Sequence, residues 1–99
     1  MIKHYSKEDD FNEIIKNKVL VDFYADWCGP CKMLAMEIEK VASEIDIDIV
    51  KVNVDEEEEI ARRYGVMSIP TLILFENGQE LKKTIGFMPK EKIKEFIED

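Results

Sequence analysis

The spacing of apolar residues changes several times along the chain, and each change predicts an element. Ile2 to Tyr5 is short and mixed and reads as a first strand. Ser6-Lys7-Glu8-Asp9 has the form of a helix start, with Ser6 as the cap and acids in the first turn. Phe11, Ile14 and Ile15 follow at helical spacing. Val19 to Tyr24 is too apolar to alternate, which predicts a strand buried on both faces. Leu34, Ile38, Val41, Ala42 and Ile45 make one helical stripe, and Ile47 to Val54 then alternates apolar with charged positions as a strand does. Glu56 to Tyr64 predicts a short helix closed by Gly65. Thr71 to Phe75 predicts a strand, Asn77-Gly78 a tight hairpin turn, and Glu80 to Ile85 the returning strand. Ile93, Phe96 and Ile97 mark a final helix.

The predicted order is β-α-β-α-β-α-β-β-α. Strands that alternate with helices imply an α/β fold with a parallel core sheet, and the late hairpin adds an antiparallel edge. Helices are expected on both faces. No repeat or linker breaks the pattern, so residues 1–99 are expected to form a single domain.

Composition narrows the function. The chain has 99 residues, 45% of them hydrophobic, which is enough for one core. No apolar run approaches the ~20 residues of a membrane-spanning helix. Met1 to Ser6 is too polar for a signal peptide, so a reducing cytoplasm is the expected compartment. A formal charge of −8 leaves no basic patch for phosphates, which argues against nucleic-acid partners. A monomer is expected, with no membrane contact.

Chemistry concentrates in Trp27-Cys28-Gly29-Pro30-Cys31-Lys32, which follows the apolar strand and opens the long helical stripe. Backbone N–H groups at a helix start are unpaired and the dipole favours negative charge there, so a thiolate is stabilised. Helical neighbours three apart have Cβ atoms about 5–6 Å from each other, close to the about 3.5–4.5 Å of a disulfide. Cys28 is expected at the first turn with its sulfur toward solvent, and Cys31 one turn in and more shielded. That difference makes Cys28 the attacking nucleophile and Cys31 the resolving thiol. Pro30 suits the first turn because its missing N–H is unpaired there anyway, and Gly29 lets a substrate backbone approach. Two cysteines and the single His4 do not complete a structural zinc site, and a bridge across so short a loop would constrain little of the unfolded chain. No metal or bound cofactor is expected.

The segment Val21-Asp22-Phe23-Tyr24-Ala25-Asp26-Trp27-Cys28-Gly29-Pro30-Cys31-Lys32 resembles the active-site segment of thioredoxins. The likeness continues through Lys51-Val52-Asn53-Val54-Asp55, Ile69-Pro70-Thr71, Phe75-Glu76-Asn77-Gly78 and Gly86, over essentially the whole chain. Gly-Pro between the cysteines is the thioredoxin form, whereas disulfide isomerases usually carry Gly-His. The resemblance implies the thioredoxin fold and a protein-disulfide reductase that cycles a Cys28/Cys31 dithiol. Its implied partners are disulfide-containing client proteins and a flavin-containing thioredoxin reductase. Asp22 matches a buried aspartate, whose pKa desolvation should raise and which would exchange the proton of Cys31. Lys51 matches a lysine near that aspartate, although a solvated strand-edge lysine is an open alternative. Pro70 matches a cis-proline opposite the cysteines, beside which Ile69 would offer main-chain hydrogen bonds to an extended client. Trp27, Met67, Ile69, Gly86 and Phe87 would rim Cys28, with ordinary core the alternative for Met67 and Phe87.

The chain also departs from the family pattern. Met36 stands where many members have a helix-kinking proline, Tyr24 stands where some have a second tryptophan, and Ile45-Asp46-Ile47 is a short connection. The acidic run Asp55 to Glu59 reads as a helix start, with Glu58–Arg62 and Glu59–Arg63 at pairing distance along the helix. Two further readings of the whole remain: a thioredoxin-fold interaction subunit that never cycles, and an oxidase or isomerase of different redox poise.

Overall fold

The computed structural model describes residues 1–98. Its elements are β1 (Ile2–His4), α1 (Phe11–Ile14), β2 (Val19–Tyr24), α2 (Gly29–Ala42), β3 (Asp48–Asn53), α3 (Glu58–Arg63), β4 (Thr71–Glu76), β5 (Gln79–Ile85) and α4 (Lys90–Glu98). The five strands form one sheet in the order β1-β3-β2-β4-β5. β3 pairs parallel with β1 and β2, while β4 pairs antiparallel with β2 and with β5. This is the expected mixed α/β sheet, with β2 at its centre and flanked on both sides.

Side chains alternate across β2 and sort into two cores. Val19, Val21 and Phe23 pack with Phe11 and Ile15 around α1 and with Ile60 of α3. Leu20 packs on the opposite face with Leu34, Ile38 and Val41 of α2 and with Ile93 and Ile97 of α4. Helices therefore cover both faces. Asn77, at φ 56°, and Gly78, at φ 80°, make the β4–β5 turn in the left-handed region that this pair of residue types tolerates. Among the described residues no helix is long and apolar enough to cross a membrane.

Several boundaries differ from the sequence expectation. Ser6 does not cap α1: the side chain of Asp10 accepts from Asn12 N and Glu13 N and is the N-cap. The Ser6 N–H instead meets Asp9 Oδ2 at 2.9 Å, closing a turn that delays the helix. α3 starts at Glu58 because Asn53 O first accepts the N–H groups of Glu56 and Glu57. Ile45 lies beyond α2, yet it packs against the same core. α2 runs unbroken through Met36. Of the two expected pairs along α3, Glu59–Arg63 is formed, at 3.9 Å.

Candidate functional site

β2 delivers its chain to the N-terminus of α2, and the cysteines lie at that junction. Cys28 is the N-cap of α2, in extended conformation, with Pro30 in the first turn. Cys28 and Cys31 are joined in a disulfide with Cα atoms 5.2 Å apart. The N–H of Cys31 donates to Cys28 Sγ at 3.2 Å, so the sulfur itself occupies the place of a capping oxygen. The expected difference in exposure is absent, since Cys28 is 4% exposed and Cys31 3%. The reason lies 41 residues away: Cys28 Sγ packs against Ile69 O at 3.9 Å, and that loop covers it.

The covering loop enters β4, whose antiparallel direction brings its first residues to the end of the sheet where β2 finishes. The Ile69–Pro70 bond is cis, Pro70 is buried, and Ile69 is half-buried. Thr71 Oγ1 donates to Ser68 O at 2.6 Å and Gly86 N to Pro70 O at 2.8 Å, which fixes the loop from both sides. Gly86 has φ +101°, a conformation that side chains disfavour, so glycine suits this contact. Trp27 is 71% exposed and Met67 95%, which removes the core alternative for Met67, and Phe87 too is exposed. All three present apolar area to solvent. Met67 also edges a groove of about 580 Å³ lined with Val54, Ala61, Val66, Glu58 and Arg62.

Behind the cysteines, strand parity sets the chemistry. Asp22 and Tyr24 of β2 stand in register with Lys51 and Asn53 of β3, on the α2 face. Asp22 is fully buried, and neither carboxylate oxygen has a hydrogen-bond partner among the described residues. Lys51 Nζ lies 3.5 Å from Asp22 Oδ2, an ion pair longer than a strong hydrogen bond. Desolvation raises the pKa of Asp22 to about 6, and the charge of Lys51 opposes that rise. Lys51 is itself 9% exposed, so it is no solvated strand-edge lysine. Cys31, Ala35 and Lys51 share the wall of a cavity of about 150 Å³, which connects the surroundings of the inner sulfur to those of the ion pair.

The structure thus brings together Cys28, Cys31, Ile69, Pro70 and Gly86 at the sheet end, with Asp22 and Lys51 behind them. Three further neighbours, Asp55, Asn53 and Tyr24, have contacts that their motifs do not reveal. Trp27 Nε1 donates to Asp55 Oδ2 at 2.9 Å, and Asp55 N in turn donates to Asn53 Oδ1 at 2.8 Å. The Tyr24 ring lies under Lys51 Nζ, 4.8 Å from its centroid. The signal for Tyr24 and Asn53 was the alternation of β2 and β3, which sets residues 24 and 53 on the face of 22 and 51.

Comparison with known proteins agrees with this arrangement. The thioredoxin family model matches residues 2–99. A thioredoxin of Mycoplasma pneumoniae is 52% identical over 82 residues, which span 82% of this chain and 80% of that protein. A thioredoxin of Staphylococcus epidermidis is 48% identical over 94 residues, 92% of this chain and 90% of that one. Among solved structures, a mutant thioredoxin from Halobacterium salinarum superposes with a TM-score of 0.90 at 35% identity, covering 98% of this chain and 88% of that chain.

Proposed function

Since the chain belongs to the thioredoxin family and is a thiol–disulfide oxidoreductase, we propose that Cys28 is its nucleophile, Cys31 its resolving thiol and client-protein disulfides its substrates. The observation that carries the assignment is the capping geometry, with Cys31 N–H donating to Cys28 Sγ at 3.2 Å. A thiolate there meets a hydrogen-bond donor and the positive end of the α2 dipole, and both favour the charged form.

The cycle starts from the dithiol. The Cys28 thiolate attacks one sulfur of the client disulfide, a Cys28–client bond forms, and the other client sulfur leaves as a thiolate. Asp22 takes the proton of Cys31 by way of the small cavity that Cys31 and Lys51 line, while Lys51 moderates the charge that the aspartate acquires. The Cys31 thiolate then attacks Cys28 Sγ, the Cys28–Cys31 disulfide closes, and the client leaves with both sulfurs reduced. Two electrons pass from the pair to the client. A flavin-containing thioredoxin reductase returns them.

Trp27 and Met67 give the client apolar contact, and Ile69 offers main-chain groups to an extended segment beside Pro70 and Gly86. Gly29 and Pro30 keep the first turn of α2 free of bulky side chains near Cys28. The same reading takes residues 1–99 as one working unit, monomeric, in a reducing compartment such as the cytoplasm.

Cys31→Ser, mixed with a disulfide-containing protein, is expected to accumulate a mixed disulfide through Cys28, detected as a mass adduct that dithiothreitol removes. Cys28→Ser is expected to accumulate none. Adducts on Cys31 in the Cys28→Ser variant, with none on its counterpart, would reverse the assignment.

A further inference from the structure

Tyr24 takes no part in the sulfur chemistry, yet it flanks the group that controls the charge behind the cysteines. It follows Asp22 by two residues on the same face of β2, opposite Asn53 of β3. The Lys51 ammonium lies between the two side chains, 3.5 Å from Asp22 Oδ2 and 4.8 Å from the Tyr24 ring centroid. The Lys51 side chain is only 10% exposed, so protein groups must meet much of its charge. An aromatic face attracts a cation through its quadrupole, and most strongly where water is excluded.

Asn53, opposite Tyr24, accepts from Asp55 N through Oδ1 and so belongs to the Trp27 side of the site. Tyr24 lines the small cavity together with Lys51 and Cys31. Around the small cavity beside Tyr24, β3 supplies Lys51, the turn after β2 Asp26, and α2 Cys31 and Lys32. β4 contributes the apolar Leu72 opposite Asp22, and Glu56 acts on Tyr24. Lys51 is the only one of these within ion-pair distance of Asp22 among the described residues.

We propose that Tyr24 is a positioning residue whose ring face, and not its hydroxyl, seats the Lys51 ammonium against Asp22 and thereby sets the pH at which Asp22 exchanges a proton. The inference rests on the assignment of Asp22 as the proton carrier of the resolving step. Replacing the ring by an aliphatic side chain lets the ammonium move away, and the carboxylate loses part of its compensating charge. The Asp22 midpoint then moves up.

The test is a carbon-13 NMR titration of the Asp22 carboxyl in wild type, Tyr24→Phe, Tyr24→Leu, Lys51→Met and the Tyr24→Leu/Lys51→Met double variant. Tyr24→Met replaces Tyr24→Leu if the latter does not fold. Tyr24→Leu is expected to raise the midpoint by about half a pH unit, the size of a partly lost cation–π contact. Tyr24→Phe keeps the ring and is expected to titrate with wild type. Lys51→Met is expected to raise the midpoint further, and adding Tyr24→Leu to it should change nothing more. The pH at which the mixed disulfide of wild type and Tyr24→Leu resolves is expected to shift in step. An unmoved or lowered midpoint in Tyr24→Leu, an equal rise in Tyr24→Phe, or a further rise in the double variant would each overturn the inference. Those outcomes leave the role of Asp22 standing, provided that wild-type Asp22 titrates well above the ordinary carboxylate range. A wild-type midpoint inside that range would remove the assignment of Asp22, and the inference with it.

Discussion

Asp22 lies at the centre of the sheet with no hydrogen bond to either oxygen among the described residues, and burial raises its pKa to about 6. The sign of the consequence for stability follows from that rise. The folded protein holds this proton more tightly than the unfolded chain, so stability falls as pH rises from the unfolded pKa of about 3.9 to the folded one. About one pH unit above 6 the penalty is essentially complete, at about 3 kcal/mol for a shift of this size. That is a large share of the ~5–15 kcal/mol by which domains are usually stable. Asp22→Asn is therefore expected to be more stable than wild type above pH 7, by at most about 3 kcal/mol since Lys51 loses its partner, and the two should converge near pH 4. Urea unfolding across that range reads the difference. A constant difference at all pH values would mean that Asp22 carries no raised pKa. At this scale the sequence was legible where a residue type contradicted its surroundings, as an acid in an apolar strand does. It was not legible for the exposure of Cys28, which depends on a contact to Ile69 far along the chain.

Among the elements, β2 was legible to the residue because a strand buried on both faces needs a nearly continuous apolar run, as Val19 to Tyr24 provides around Asp22. The first helix was less so. Ser6 and Asp10 are both residue types that cap helices, and only the turn closed by Asp9 onto Ser6 N tells them apart. Asp10→Ala is expected to cost about 1 kcal/mol in urea unfolding, because it removes the side-chain acceptor of Asn12 N and Glu13 N, whereas Ser6→Ala should cost clearly less. A larger loss for Ser6→Ala would return the cap to the earlier residue. α2 combines legible and hidden features. Its apolar stripe and the cysteine pair were plain in the sequence, but the sulfur acting as N-cap is a matter of backbone geometry at one residue.

For the whole molecule, the sheet order explains why one end carries the chemistry. β2 runs parallel to β3 and antiparallel to β4, so the end of β2, the end of β3 and the start of β4 meet at one edge. That edge collects Cys28 and Cys31 from the turn into α2, Asp55 after β3, and Ile69-Pro70 before β4. The alternation of elements foretold a mixed sheet with helices on both faces. The register that pairs Asp22 with Lys51 and Tyr24 with Asn53 was beyond it, because a slip of one residue fits nearly the same apolar pattern in a strand buried on both sides.

The central claim is that the cysteine pair turns over on protein disulfides, and reduction of insulin in the presence of dithiothreitol tests it most directly. Wild type is expected to accelerate insulin reduction catalytically, while Cys28→Ser should fall to the rate of dithiothreitol alone. A wild-type rate no higher than that background would contradict the account and leave a thioredoxin-fold subunit that does not cycle.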